Sequence, residues 1–140
     1  RVRVAGGRSL GGWGLTGGEE ALEMVDDPFG DRIVAGDSPA PGQGRVNFLV
    51  EVCDPSEATE FGYTANGILV ADFYTPRYFD PLTAPGVRYS YTGDIKGPRE
   101  ILRGGYLSWH EPVSDHLFQL TWFAGSCARV RDIGALDHNN

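Results

Sequence analysis

The sequence predicts an all-β domain, an antiparallel β-barrel or sandwich with a Gly-rich N-terminal arm, and three observations carry the prediction. From Val46 onward, apolar residues recur at every second position in several runs; Gly, Pro, Asn and Asp gather between those runs; and the first 44 residues are broken by Gly and Pro too often for a central strand or an uninterrupted helix. Residues 1–44 therefore read as an arm or lid, and residues 45–140 as the antiparallel domain.

Seven of the first eighteen residues are Gly, and GDSPAPGQG at 36–44 has the composition of a linker. Between them GEEALEMVDDPFG suits a short helix near Glu19 to Val25, with Glu19 and Glu20 at its positive end and Pro28 beyond its stop. In VNFLVEVC, Val46, Phe48, Val50 and Val52 share one face of a strand. GILVADFYTP at 67–76 is apolar and rich in β-formers up to Pro76. VRYSYTGDI puts Val87, Tyr89, Tyr91 and Ile95 on a dry side and Arg88, Ser90, Thr92 and Asp94 on a wet one. SCARVRDI at 126–133 alternates more weakly. With the two strands of the stretch GGYLSWHEPVSDHLFQLTWF, the count is about six, at spacings typical of all-β domains.

At 140 residues the chain is one domain's worth and needs neither metal nor disulfide to fold. Its 12 basic residues are scattered among 19 acidic ones, for a net charge of -7, which argues against nucleic acid and anionic membranes as partners. The apolar run GILVA is far shorter than the roughly 20 residues of a membrane helix. Cys53 and Cys127 lack CxxC spacing and read as reduced thiols, which favours the cytoplasm over secretion; a bond between them would need an oxidising compartment. The chain starts at Arg1 without a signal-peptide pattern, so export stays open.

The hairpin register follows from its side chains. Pairing Glu111 with His116 across PVSD places Trp109 opposite Phe118, Leu107 opposite Leu120 and Gly105 opposite Trp122 on one face; a one-residue slip would mix the faces. Glu111 and His116 then become cross-strand neighbours, with Cβ atoms roughly 5 Å apart. Two readings follow: an exposed hairpin-end pair of little energetic weight, or an acid/base couple at the mouth of an aromatic cavity. Metal is disfavoured, because HEPVSDH is not HExxH and His110 points to the other face.

Phe48, Tyr89, Tyr91, Trp109, Phe118 and Trp122 fall on faces assigned inward, the makeup of a plain core or of a pocket for a hydrophobic or aromatic small molecule. Buried Tyr and Trp each need a polar partner, which tilts the reading toward a partly hydrated cavity. Asp72, inside ILVADFY, is either paired with an Arg or a second carboxyl of the same cavity.

Two segments resemble the lipocalin-like phenolic acid decarboxylases and their molybdenum-cofactor-associated relatives. FGYTANG at 61–67 is similar to the family's Tyr-Thr-Tyr-x-Asn-Gly strand opening, and YLSWHEP at 106–112 to its Ser-Trp-Thr-Glu-Pro strand end. The resemblance implies a calycin-like barrel, with Tyr63 holding a substrate carboxylate and Glu111 donating a proton. Ala65 stands where the second tyrosine belongs, and nothing before Phe61 matches.

The leading expectation is a cofactor-free enzyme of lyase, isomerase or cyclase type, acting on a hydrophobic or aromatic molecule. Its catalytic residues would be Glu111, His116 and Tyr63; Tyr89, Tyr91, Trp109, Phe118, Trp122 and Asp72 would hold the substrate. The alternatives are a non-catalytic ligand-binding barrel, and an assembly module whose arm docks on a neighbouring copy in a homo-oligomer.

Overall fold

The computed structural model describes residues 30–136, and seven strands run through them. They are β1 (Ile33–Asp37), β2 (Arg45–Leu49), β3 (Tyr63–Ala65), β4 (Ile68–Val70), β5 (Tyr106–Glu111), β6 (His116–Thr121) and β7 (Arg129–Ala135). Five form an antiparallel sheet in the order β1-β2-β5-β6-β7, while β3 and β4 pair as a separate ribbon. The all-β antiparallel class holds. Among the described residues no α-helix occurs and β1 and β7 do not pair with each other, so the five strands form no closed barrel, where a barrel or sandwich was expected. The arm before Gly30, including the expected helix, lies outside the described residues.

The sheet begins at Ile33, ahead of the expected boundary at residue 45. GDSPAPGQG is the turn between β1 and β2: the Ser38 N–H donates to Gly44 O at 2.8 Å, and Ser38 Oγ donates to Gln43 Oε1 at 2.7 Å. The same Gln43 oxygen accepts the indole N–H of Trp109 at 2.9 Å, tying the turn to β5. Gly and Pro here serve a hairpin, a use that composition alone does not separate from a linker.

The β5–β6 register is the expected one, with Glu111 opposite His116 and Trp109 opposite Phe118. It completes a lateral row across the sheet, Val34–Phe48–Trp109–Phe118–Asp132. Trp109 meets Phe48 edge-on at 6.1 Å and stacks with Phe118 at 6.2 Å. Phe48 and Trp109 are fully buried, worth roughly 1.5–3 kcal/mol or more apiece, whereas Phe118 near the β7 edge is only half-buried.

Residues 71–105 cross the buried side of β2 and β5 as irregular chain, not as the strands expected there. GILVADFYTP is a strand only over Ile68–Val70, because Asn66 and Gly67, with φ of 50° and 78°, close a two-residue hairpin with β3. VRYSYTGDI is not a strand. Its alternation breaks at a turn in which the Gly93 N–H donates to Ser90 O at 3.1 Å; Tyr89, Ser90 and Ile95 are buried, while Tyr91 is 48% exposed and not inward as expected. What remains of pairing there is the bridge between Tyr74 and Ser90.

Candidate functional site

Glu111 and His116 are neighbours in the backbone, but their side chains take different partners. The Glu111 carboxylate accepts the Val113 N–H at 2.9 Å, the Ser114 N–H at 2.6 Å and the Ser114 hydroxyl at 2.5 Å, so it closes its own hairpin loop. The Ser114 hydroxyl, then the Ser114 N–H, hold its pKa below the usual carboxylate value. A carboxylate fixed as an anion by three donors is poorly suited to give up a proton near neutrality. His116 instead engages Asp132 through Nδ1 at 2.8 Å and 2.9 Å, and this bond is the main cause of a lowered pKa at Asp132. The expected Glu111–His116 couple is therefore not made. The reason is sequence-local: Ser114 offers two donors three residues from Glu111, and β7 brings Asp132 beside His116. His110 faces away and bonds Asp115 at 2.7 Å.

The aromatic residues expected to line a cavity are largely satisfied by the chain. The Ala84 N–H donates to the Tyr89 hydroxyl at 2.9 Å, the Tyr78 hydroxyl donates to Glu100 O at 2.9 Å, and the Trp122 indole donates to Gly125 O at 3.2 Å. Together with the Trp109–Gln43 bond, this makes Tyr89 and Trp109 core residues and Trp122 a half-buried one. These partners are two backbone carbonyls, a backbone N–H and a loop glutamine, which periodicity does not reveal.

Tyr63, Asp72 and Tyr91 do come together, away from the sheet. Tyr63 and Tyr91 have ring centroids 4.5 Å apart, and Phe73 stacks on Tyr91 at 5.2 Å. Burial, then Tyr91, Asp72 and Cys53, push the Tyr63 phenol up, so it stays protonated as a donor. Asp72 is fully buried; its Oδ1 accepts the Thr92 N–H at 2.9 Å, and its Oδ2 has no hydrogen-bond partner among the described residues. The arginine partner expected for Asp72 is not there: no described residue forms an ion pair with it.

A cleft of about 200 Å³ was not legible in the sequence. Val34 of β1, Val50 and Val52 beyond β2, and Tyr74 and Phe79 line it. Backbone bonds set its width: the Val50 N–H donates to Arg32 O at 3.1 Å and the Tyr74 N–H to Val52 O at 2.8 Å. Tyr74 stacks on Tyr78 at 4.2 Å and meets Phe79 edge-on at 5.4 Å, so that part of the lining is stiff. Arg32, an exposed residue, is the cation of the lining. The TPRYF segment supplies Phe79 because Pro76 starts a 3-10 turn over Pro76–Phe79.

Cys53 is buried and Cys127 exposed, and the two are not joined in a disulfide. Among the described residues no three His, Cys, Asp or Glu side chains converge as a metal site, and no helix is long and apolar enough to cross a membrane. Comparison of the chain with protein-family models, with curated proteins and with solved structures finds no match.

Proposed function

We propose that this chain is a binding domain for a small hydrophobic or aromatic molecule, held in the cleft lined by Val34, Val50, Val52, Tyr74 and Phe79. The observation that carries the reading is the cleft itself: about 200 Å³, lined by three valines, Tyr74 and Phe79 together with the polar groups of Arg32 and Thr75. An apolar cavity of about 150 Å³ is large enough to take benzene, so a single ring with a short substituent fits. Binding would remove apolar ligand surface from water against rigid walls, the usual source of affinity in small pockets.

Catalysis is the weaker reading. It asked for Glu111 as proton donor, and the three donors on its carboxylate speak for a loop cap. The resemblance to phenolic acid decarboxylases asks in addition for Tyr63 and Glu111 to act on one substrate. Tyr63 belongs to the β3–β4 ribbon and packs on Tyr91, whereas Glu111 ends β5 and binds its own loop. Titration of the protein with benzoate, followed by amide chemical shifts, tests the binding reading. Saturable shifts at Val34, Val50, Val52 and Thr75 support it, and no saturable shift there removes it.

A further inference from the structure

A second concavity lies apart from the cleft. It is a surface depression of about 270 Å³ lined by Gly86, Val87, Arg88, Gly93, Ile95 and Lys96, and it shares no lining residue with the cleft. Its two charged lining residues are both cations. Neither Arg88 nor Lys96 forms an ion pair with a carboxylate among the described residues, although Asp94 and Glu100 stand close in sequence. Those two carboxylates are otherwise engaged: Asp94 accepts the Thr92 hydroxyl at 3.0 Å, and Glu100 the backbone N–H of Lys96 at 3.4 Å.

The fold brings the two cations to one place. Arg88 Nη1 donates to Tyr91 O at 3.1 Å and Lys96 Nζ to Gly93 O at 2.6 Å, so both heads are held on the same turn, one from each side of it in sequence. Their backbone is fixed. The Thr75 hydroxyl donates to Arg88 O at 2.7 Å, and the adjoining residues Tyr89 and Ile95 are buried in the core. Gly86 and Gly93, with φ of 73° and 82°, leave their part of the lining without side chains. A guanidinium carries five N–H groups and an ammonium three, so each cation has donors beyond the one given to a carbonyl. Two like charges on one turn repel, and an anion between them removes that repulsion and adds charge-assisted hydrogen bonds.

We propose that Arg88 and Lys96 form a site for a phosphate group, free or as a small monoester, seated in this depression. A phosphate group carries roughly −1.5 to −2 charges at neutral pH and so matches two cations, Arg as a planar fork and Lys as a point charge. The chain's net charge of -7 repels anions in general, so saturable binding of one needs a local site of this kind. The site does not depend on the cleft.

The test is titration of the full chain with inorganic phosphate at pH 7.5, followed by amide chemical shifts, with methyl phosphate and acetate in parallel arms. Low salt is used because exposed charges are screened. Saturable shifts at Val87, Arg88, Gly93 and Lys96 are expected, with phosphate bound at least fivefold tighter than the monoanion acetate. Tighter binding of methyl phosphate than of inorganic phosphate identifies an ester as the occupant, and the reverse identifies the free ion. Arg88→Gln and Lys96→Gln, both at exposed positions, should keep the melting temperature and each weaken phosphate at least fivefold. Arg103→Gln, at an exposed arginine outside the lining, should leave the affinity unchanged. The absence of saturable shifts overturns the proposal, as does equal affinity for acetate or an undiminished affinity in either lining variant. An equal loss in Arg103→Gln also overturns it, since the attraction would then be one of overall charge.

Discussion

Asp132, not Glu111, holds the imidazole of His116, with its carboxylate oxygens 2.8 Å and 2.9 Å from Nδ1. The partner lies on β7, across one strand pair, although Glu111 stands directly opposite His116 in the β5–β6 register. Backbone register decides which residues are neighbours; local donors decide which of them bond. At this hairpin Ser114 takes the glutamate first.

Glu111→Gln should therefore lower thermal stability while leaving ligand binding at the cleft unchanged. A glutamine can accept through one oxygen only, and its amide group turns a second acceptor into a donor facing N–H groups. The effect should depend on pH in a defined direction. The folded-state pKa of Glu111 lies below the ordinary value of 4.5, so its stabilisation is complete above 4.5 and is lost as pH falls through the folded value. Melting curves of both proteins should converge in acid and separate at neutral pH. Equal melting temperatures at pH 7 would contradict the cap.

Gly105→Ala should be among the most damaging single changes. A Cβ there would stand 2.6 Å from the carbonyl carbon of Pro55 and 2.8 Å from Asp54 O, and backbone cannot step aside as a flexible side chain does. Overpacking of this kind costs about 1–3 kcal/mol and occasionally more. Gly67→Ala meets open space but strains a φ of 78°, so its cost should stay near 1 kcal/mol, roughly. Chemical denaturation of the two variants checks the order, and a Gly105→Ala protein as stable as wild type would contradict the close approach of the Asp54–Ser56 turn to the start of β5.

Gln43→Ala should release the β1–β2 turn from Trp109. It removes a bond of 2.9 Å whose partner indole is fully buried, so the loss should be about 1–3 kcal/mol, the cost of leaving a buried donor unpaired. Denaturation midpoints measure it. Trp109→Phe, which removes the donor as well, should be less additive with Gln43→Ala than two distant changes would be.

The legible part of this fold was the part whose burial alternates. Trp109, Phe118, Leu107 and Leu120 fixed the β5–β6 register because a slip would have exposed them. Residues 71–76 and 87–95, rich in tyrosine and β-branched residues, read as strand but pack as irregular chain, and a Ser90–Gly93 turn reverses the faces within VRYSYTGDI. The Asn66-Gly67 pair carried the signal for the β3–β4 hairpin, and the Gly and Pro of residues 36–44 carried that for β1–β2. Tyr63, Tyr91 and Asp72 were singled out as site residues, but nothing in their spacing says that Thr92 satisfies only one oxygen of Asp72. The cleft draws on β1, the end of β2 and the Pro76–Phe79 turn, three pieces whose meeting depends on topology alone.

The most direct test of the binding reading is a benzoate titration of wild type and Val34→Phe, followed by amide chemical shifts. Val34 is half-buried at the wall of the cleft and pairs with Phe48, so a phenylalanine there narrows the space while staying compatible with a strand. The account predicts saturable shifts confined to residues around Val34, Val50, Val52 and Thr75 in the wild type, and an affinity at least tenfold lower in a Val34→Phe protein of unchanged stability. Shifts of equal size and affinity in both proteins, or none that saturate in the wild type, would contradict it.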